Sequence, residues 1–250
     1  MAGGSESRSA VEQRRPLWRL LHEAAVLGGL WLLYTLGRAL AGRRTGHASG
    51  HASQVWSVER DLHLPDEGRV QRAVLHWSWL VHAANDYYKF EHFLGLVVVT
   101  VWLLLWRPSR YLWFRRVLVL TTAIGLVLHL TYPLAPPRLR PDFGVVDTGV
   151  RYGESVYGGN PRNHGLLNQY AAMPSLHVAW AVLFALTVVL VSRSRWRWLA
   201  VGYPAVTTYV VVVTGNHYWL DGIVGIAALC LALLMSTGRS LELARLRTRG

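Results

Sequence analysis

His217 and Asp221 stand four residues apart in the string TGNHYWLDG. On a helix that spacing puts two side chains on one face. Asp221 can then accept a hydrogen bond from one ring nitrogen of His217 and fix its tautomer, leaving a lone pair on the other nitrogen. A histidine oriented by a carboxylate is the arrangement that nucleophilic or base catalysis requires. Between Phe93 and Thr237 the acidic residues are Asp142, Asp147, Glu154 and Asp221, and only Asp221 falls in an apolar run. A second group is Pro174-Ser175-Leu176-His177. Proline suits the first turn of a helix, so Ser175 and His177 lie at a helix start, where free amides and the dipole favour an anion. A third group is Ala135-Pro136-Pro137-Arg138-Leu139-Arg140-Pro141. Its prolines stiffen the chain and present Arg138 and Arg140, whose guanidinium groups bind phosphate in a planar, two-pronged way. Two histidines, an aspartate, an arginine and a helix start together suit an oxyanion or a phosphate.

These groups must be positioned by elements that cross a membrane. Of 250 residues, 52% are hydrophobic and 16% charged, against about 25% charged in a soluble domain. That apolar content excludes a disordered chain, and the single cysteine, Cys230, excludes a disulfide scaffold. The net charge of +12 would suit a nucleic-acid binder, but the apolar runs do not, and no nucleic-acid partner is expected. The 26 basic residues comprise 25 arginines and Lys89, a bias from which no partner follows.

A span takes about 20 mostly apolar residues. Six runs qualify, at about 20–41, 92–106, 117–135, 174–192, 198–214 and 218–236. Each should be helical, because backbone groups find no water in lipid. The expected fold is therefore an all-α integral membrane protein, a bundle of six transmembrane helices in one catalytic domain over 17–237. A disordered basic tail (1–16) precedes it and a basic cytoplasmic tail (238–250) follows. Arginines cluster at 107–116, at 193–197 and in both tails, and six spans put all four segments on one side, the cytoplasmic one. The expected location is the plasma membrane, multi-pass, with both termini inside. The three chemical groups above then share the extracytoplasmic face. Residues 1–41 also admit reading as a cleaved signal, with Ala39-Leu40-Ala41 as the cleavage site. The outer loop 42–91 begins as a flexible linker through Gly46, Ser49, Gly50 and Ser53, and 69–84 reads as an amphipathic interfacial helix.

Asn85, Tyr88 and His92, ahead of the second span, and Asn216, beside His217, are candidates to line the mouth of the site. His129, mid-span, reads as a satisfied polar residue inside the bundle and Cys230 as a small core residue. His177, His217 and Asp221 are also a conceivable ligand set for a catalytic zinc. The pairing of Asp221 with His217 argues against it, and no metal or other cofactor is expected.

The strings AAMPSLHVAW and TGNHYWLDG, with NDYYKFEH, YPLAPPRL and FGVVDTG in support, resemble the type 2 phosphatidic acid phosphatase superfamily. More narrowly the chain is similar, from about Trp79 to Leu234, to the inositol phosphotransferase-like branch that holds the yeast inositol phosphorylceramide synthases and their bacterial relatives. The resemblance implies that His217 attacks phosphorus, Asp221 orients it, His177 protonates the leaving oxygen and Ser175 binds a phosphoryl oxygen, without a metal. Two cations of the broad superfamily are missing: Pro133 stands where a lysine precedes the Arg-Pro pair, and Val211 where an arginine precedes the histidine. Arg138 is the expected substitute, with Arg140 second. The expected substrate is a lipid phosphate, monoester or diester, and the acceptor is water or an alcohol such as inositol or a sugar. The rival is a non-enzymatic protein of the same fold, a lipid transporter or inactive scaffold. Transporters place their polar site near mid-membrane, and here it lies at one surface.

Overall fold

The computed structural model describes residues 18, 21–26, 28, 29, 32, 35, 36, 46–153 and 169–247. The tail 1–16, the Ala39-Leu40-Ala41 string and the last three residues lie outside them. The described positions of the first expected span are helical. There Glu23 accepts from Tyr111 Oη at 2.7 Å and pairs with Arg115 Nη1 at 2.7 Å.

Among the described residues eight α-helices follow: α1 (Ala48–Asp61), α2 (Glu67–Val74), α3 (Ser78–Trp106), α4 (Pro108–Thr131), α5 (Thr148–Arg151), α6 (Leu176–Val191), α7 (Gly202–Val213) and α8 (Trp219–Arg247). Short 3-10 helices stand at Pro137–Leu139 and Pro141–Phe143, and a longer one, Arg195–Val201, leads into α7. The one β feature among the described residues is an isolated bridge between Leu134 and Ala171.

Among the described residues three helices are long and apolar enough to cross a membrane, Ser78–Trp106, Pro108–Thr131 and Trp219–Ser236. Much of the first expected span lies outside the described residues, so the expected count of six is not confirmed. The 16 residues of α6 and the 12 of α7 fall short of the about 20 that a span needs. The run expected at 92–106 is the second half of α3, and the one at 117–135 starts earlier, because Pro108 occupies the first turn of α4.

Helix α6 lies among α3, α4, α7 and α8. Its Leu183 and Phe184 join Val99, Leu103, Phe114, Val117 and Leu229 in the main core. Gly95 of α3 makes room for the Phe184 ring, which a Cβ there would approach to 2.8 Å. The opposite faces expose Phe93, Leu94, Val97, Val98, Val127, Leu190, Ile223 and Leu231, an apolar belt of the kind that meets lipid.

Two expectations for 42–91 are corrected. The expected linker is helix α1, because Ala48, Ala52, Val55 and Glu59 recur at helical spacing and are all buried. Ala48, Ala52 and Val55 pack against Leu134, Ala135 and Tyr218. The expected helix over 69–84 is split. Asp66 caps α2 by accepting from Arg69 N at 2.7 Å, the chain turns at 75–77, and α3 begins at Ser78. Val74 and Val81, on either side of the break, both pack on Val213. Cys230 is exposed rather than in the core. His129 is buried and its Nε2 lies 3.1 Å from Pro174 O, as a satisfied interior residue.

Candidate active site

The site gathers where α4 ends and α6 and α8 begin. His217 lies in the turn before α8, two residues ahead of its first residue, so the pair with Asp221 is not a shared helix face but a helix entry. Asp221 Oδ2 accepts from the backbone amide of Tyr218 at 2.9 Å and lies 3.2 Å from His217 Nδ1. This is half of a capping box, in which a side chain of the first turn reaches back to an orphan amide. His217 Nδ1 also meets the carbonyl of Ala172 at 2.8 Å. Two acceptors at Nδ1 require that nitrogen to carry the proton, so the lone pair of neutral His217 is on Nε2. Asp221 is fully buried.

Ser175 caps α6, its Oγ accepting from Val178 N at 3.5 Å, and it is wholly buried. His177 follows in the first turn. Its ring centroid is 5.8 Å from that of His217, with Tyr88 of α3 stacked on it at 4.6 Å and His92 edge-on at 4.6 Å. Tyr88 also lies 6.5 Å from His217. The structure thus brings His177, His217, Asp221, Tyr88 and His92 together.

Arg138 joins them through the neighbour of His217. Its Nε donates to Asn216 Oδ1 at 3.0 Å, and its Nη1 to Asp147 Oδ2 at 3.1 Å and Gln169 Oε1 at 3.2 Å. Its backbone amide donates to Gly215 O at 2.8 Å. Gly215 has φ +72, and a Cβ there would stand 2.9 Å from Val145 and 3.2 Å from Arg138, so both backbone hand and space call for glycine.

Two expected residues are turned to structural work. Arg140 grips Asp142 at 2.7 and 3.0 Å, donates to Ser49 O at 2.6 Å and lies over the Phe143 ring. That guanidinium holds the Asp142 carboxyl below the usual carboxylate range. Asn85 is buried, with Oδ1 accepting from Thr148 Oγ1 at 2.8 Å, and so braces α5.

Behind the site, α1 and α2 close over the start of α8. Glu59 Oε1 accepts from Leu220 N at 2.7 Å, and Trp219 Nε1 donates to Pro65 O at 2.8 Å. Burial, and then the adjacent Glu67, push the Glu59 carboxyl up to about 9. Arg60 pairs with Glu67 and Asp66, each at 3.2 Å.

Sequence reasoning missed Ala172, Asp147, Gln169 and Glu59. Ala172 acts through a carbonyl that any residue carries. Asp147 and Gln169 are set by loop contacts that no local spacing encodes.

The zinc set weighed from sequence, His177 with His217 and Asp221, is not the one whose donor atoms converge. Among the described residues those are Glu91, His92 and His177, within 4.8 Å of one another.

A helical membrane protein with a buried His–Asp pair at the mouth of its bundle is the class that fold and site define. Residues 53–235 match the PAP2 superfamily, and the chain belongs to it. It is also 27% identical over 144 residues to a phosphoinositol dihydroceramide synthase of Bacteroides thetaiotaomicron. That match covers 50% of this chain and 45% of the relative, so the chain spans under half the length of the protein it matches. No solved structure matches significantly.

Proposed function

We propose that the chain is a lipid phosphatase or phosphotransferase that works through a phosphohistidine on His217. The observation that carries this reading is His217 Nδ1 held between Asp221 Oδ2 at 3.2 Å and Ala172 O at 2.8 Å, with the His177 ring 5.8 Å away. The lipid lies with its tail along the bundle and its phosphate at the mouth. Arg138 and the amides at the start of α6 hold the phosphoryl oxygens, over which charge spreads in the transition state. His217 Nε2 attacks phosphorus in line, and the P–O bond to the leaving group breaks as His177 protonates that oxygen. Water or an alcohol then attacks the phosphohistidine, with neutral His177 taking its proton, and His217 is restored. Asp221 stabilises the positive charge that His217 carries while phosphorylated. No step passes through a metal.

The relative, a phosphoinositol dihydroceramide synthase by name, favours an alcohol acceptor over water. The site lies at the end of α4 opposite Arg115, and α4 is about 36 Å long. Since basic segments stay inside, the mouth faces the extracytoplasmic side of the plasma membrane, with both termini cytoplasmic.

The test is a panel of lipid phosphates and phosphodiesters given to the purified protein, with and without an alcohol acceptor (inositol, a sugar or a ceramide). Released phosphate identifies a phosphatase and a new phosphoester of the acceptor a transferase, and both vanish in His217→Ala. Turnover that persists in His217→Ala overturns the reading.

A further inference from the structure

We propose that Glu91, His92 and His177 form a Zn2+ site whose occupation switches the enzyme off. The inhibitory half rests on His177 being the proton carrier of the proposed reaction; the metal site stands on geometry alone.

One donor atom from each of the three residues lies within 4.8 Å of the others. Glu91 and His92 are consecutive in α3, and His177 is in the first turn of α6, so the site would clamp two helices at the mouth. Glu91 supplies the second observation. It is only 6% exposed, one carboxyl oxygen takes the Tyr203 hydroxyl, and the other, Oε1, is buried with no hydrogen-bond partner. A buried carboxyl oxygen without a donor is an exception that calls for a partner, and a cation held by the neighbouring imidazoles meets the need. His92 and His177 are half-buried, which leaves an entry path. Two imidazoles and one carboxylate are a ligand set that zinc uses with a fourth position open. The nitrogen donors set it apart from the all-oxygen sites of magnesium and calcium.

The consequence follows from proton accounting. A general acid must carry protons on both ring nitrogens of His177, and zinc on either one prevents that. The bound ion therefore removes the proton that the leaving oxygen needs, while His217, Asp221 and Arg138 stay in place.

The test uses the full chain in detergent, stripped with a chelator. Cobalt is titrated in and its visible absorption read, then zinc is added to displace it. The proposal expects one tetrahedral, zinc-displaceable site per chain, weakened about ten-fold or more by Glu91→Gln and by His92→Ala, with thermal melts confirming that each variant is folded. Zinc should lower lipid turnover of the unsubstituted protein, and its half-inhibitory concentration should rise by a similar factor in His92→Ala, measured against that variant's own zinc-free rate. A cobalt signal that is absent, or indifferent to both substitutions, overturns the site. Binding without inhibition, or stripped protein that zinc reactivates, overturns the switch. If no lipid is turned over at all, the proposed function fails, and the cobalt titration still decides the metal site.

Discussion

The backbone amide of Ser175 donates to the carbonyl of Asp221 at 2.8 Å. That bond ties the segment carrying His177 to the helix entry carrying Asp221, so main chain helps to hold the two histidines against each other. The approach is allowed by Gly225, one turn further along α8, where an added Cβ would collide with the Ser175 carbonyl.

Gly225→Ala is therefore expected to push α6 and α8 apart. Overpacking of this kind costs about 1–3 kcal/mol, which a thermal melt in detergent reads as a lowered midpoint. Turnover should fall by more than the lost stability explains, because the displaced segment carries Ser175 and His177. An unchanged melt and rate would mean that the two helices can shift without disturbing the site.

Arg138 is held by three acceptors, Asn216, Asp147 and Gln169. Lysine keeps the charge but has no planar fork to match them. A hydrogen bond to a charged group is worth about 1.5–3 kcal/mol, so Arg138→Lys should lower kcat/KM by about 10- to 100-fold. Arg140→Lys should change it little, since Arg140 is bound to Asp142 and Ser49 on the α1 side. Steady-state kinetics on one lipid substrate separates the two, and equal losses would return Arg140 to the site.

Glu59 gives the protein a pH dependence of known sign. Its carboxyl is raised from the ordinary 4.5 to about 9 by burial and by Glu67. Between those values the folded chain binds more protons than the unfolded chain, so stability falls as pH rises through that window. The groups facing it are Glu67, Arg60 and Asp221. Glu59→Gln keeps an oxygen for the Leu220 amide and has no proton to lose. Melts from pH 5 to 9 should show a flatter profile for the variant and a higher midpoint at the alkaline end. Parallel profiles would remove Glu59 as the cause.

Much of this site was legible because its signals are local. His217 and Asp221 announce themselves by spacing, although the spacing works through a helix entry rather than a helix face. Pro174 marks the start of α6 to within two residues. What stayed hidden depends on chain brought from afar. In the sequence around α1, Gly46, Ser49, Gly50 and Ser53 point to a linker and mask the stripe Ala48, Ala52 and Val55, whose partners are Leu134 and Tyr218. Asn85 looked like a mouth residue because nothing in its neighbourhood predicts Thr148, 63 positions away. Helices α6 and α7 are shorter than their apolar runs because the capping of Ser175 and the 3-10 segment Arg195–Val201 take residues that hydropathy counts as span.

The two histidines should be separable by the leaving group. In the proposed reaction His177 protonates the departing oxygen, which matters for a lipid alkoxide and hardly at all for an activated aryl phosphate, whose phenolate leaves without a proton. General acid catalysis contributes about 10²–10⁴-fold, so His177→Ala should lose about that much with a lipid substrate and far less with the aryl phosphate. His217→Ala should lose turnover with both, because no bond to phosphorus forms without its Nε2. The same contrast predicts that His177→Ala, given the aryl phosphate, accumulates a phosphorylated chain that is labile to acid and stable to alkali, since the second step still needs a base. Equal losses for the two substrates in His177→Ala would take the leaving-group proton away from His177, and labelled protein in His217→Ala would take the covalent step away from His217.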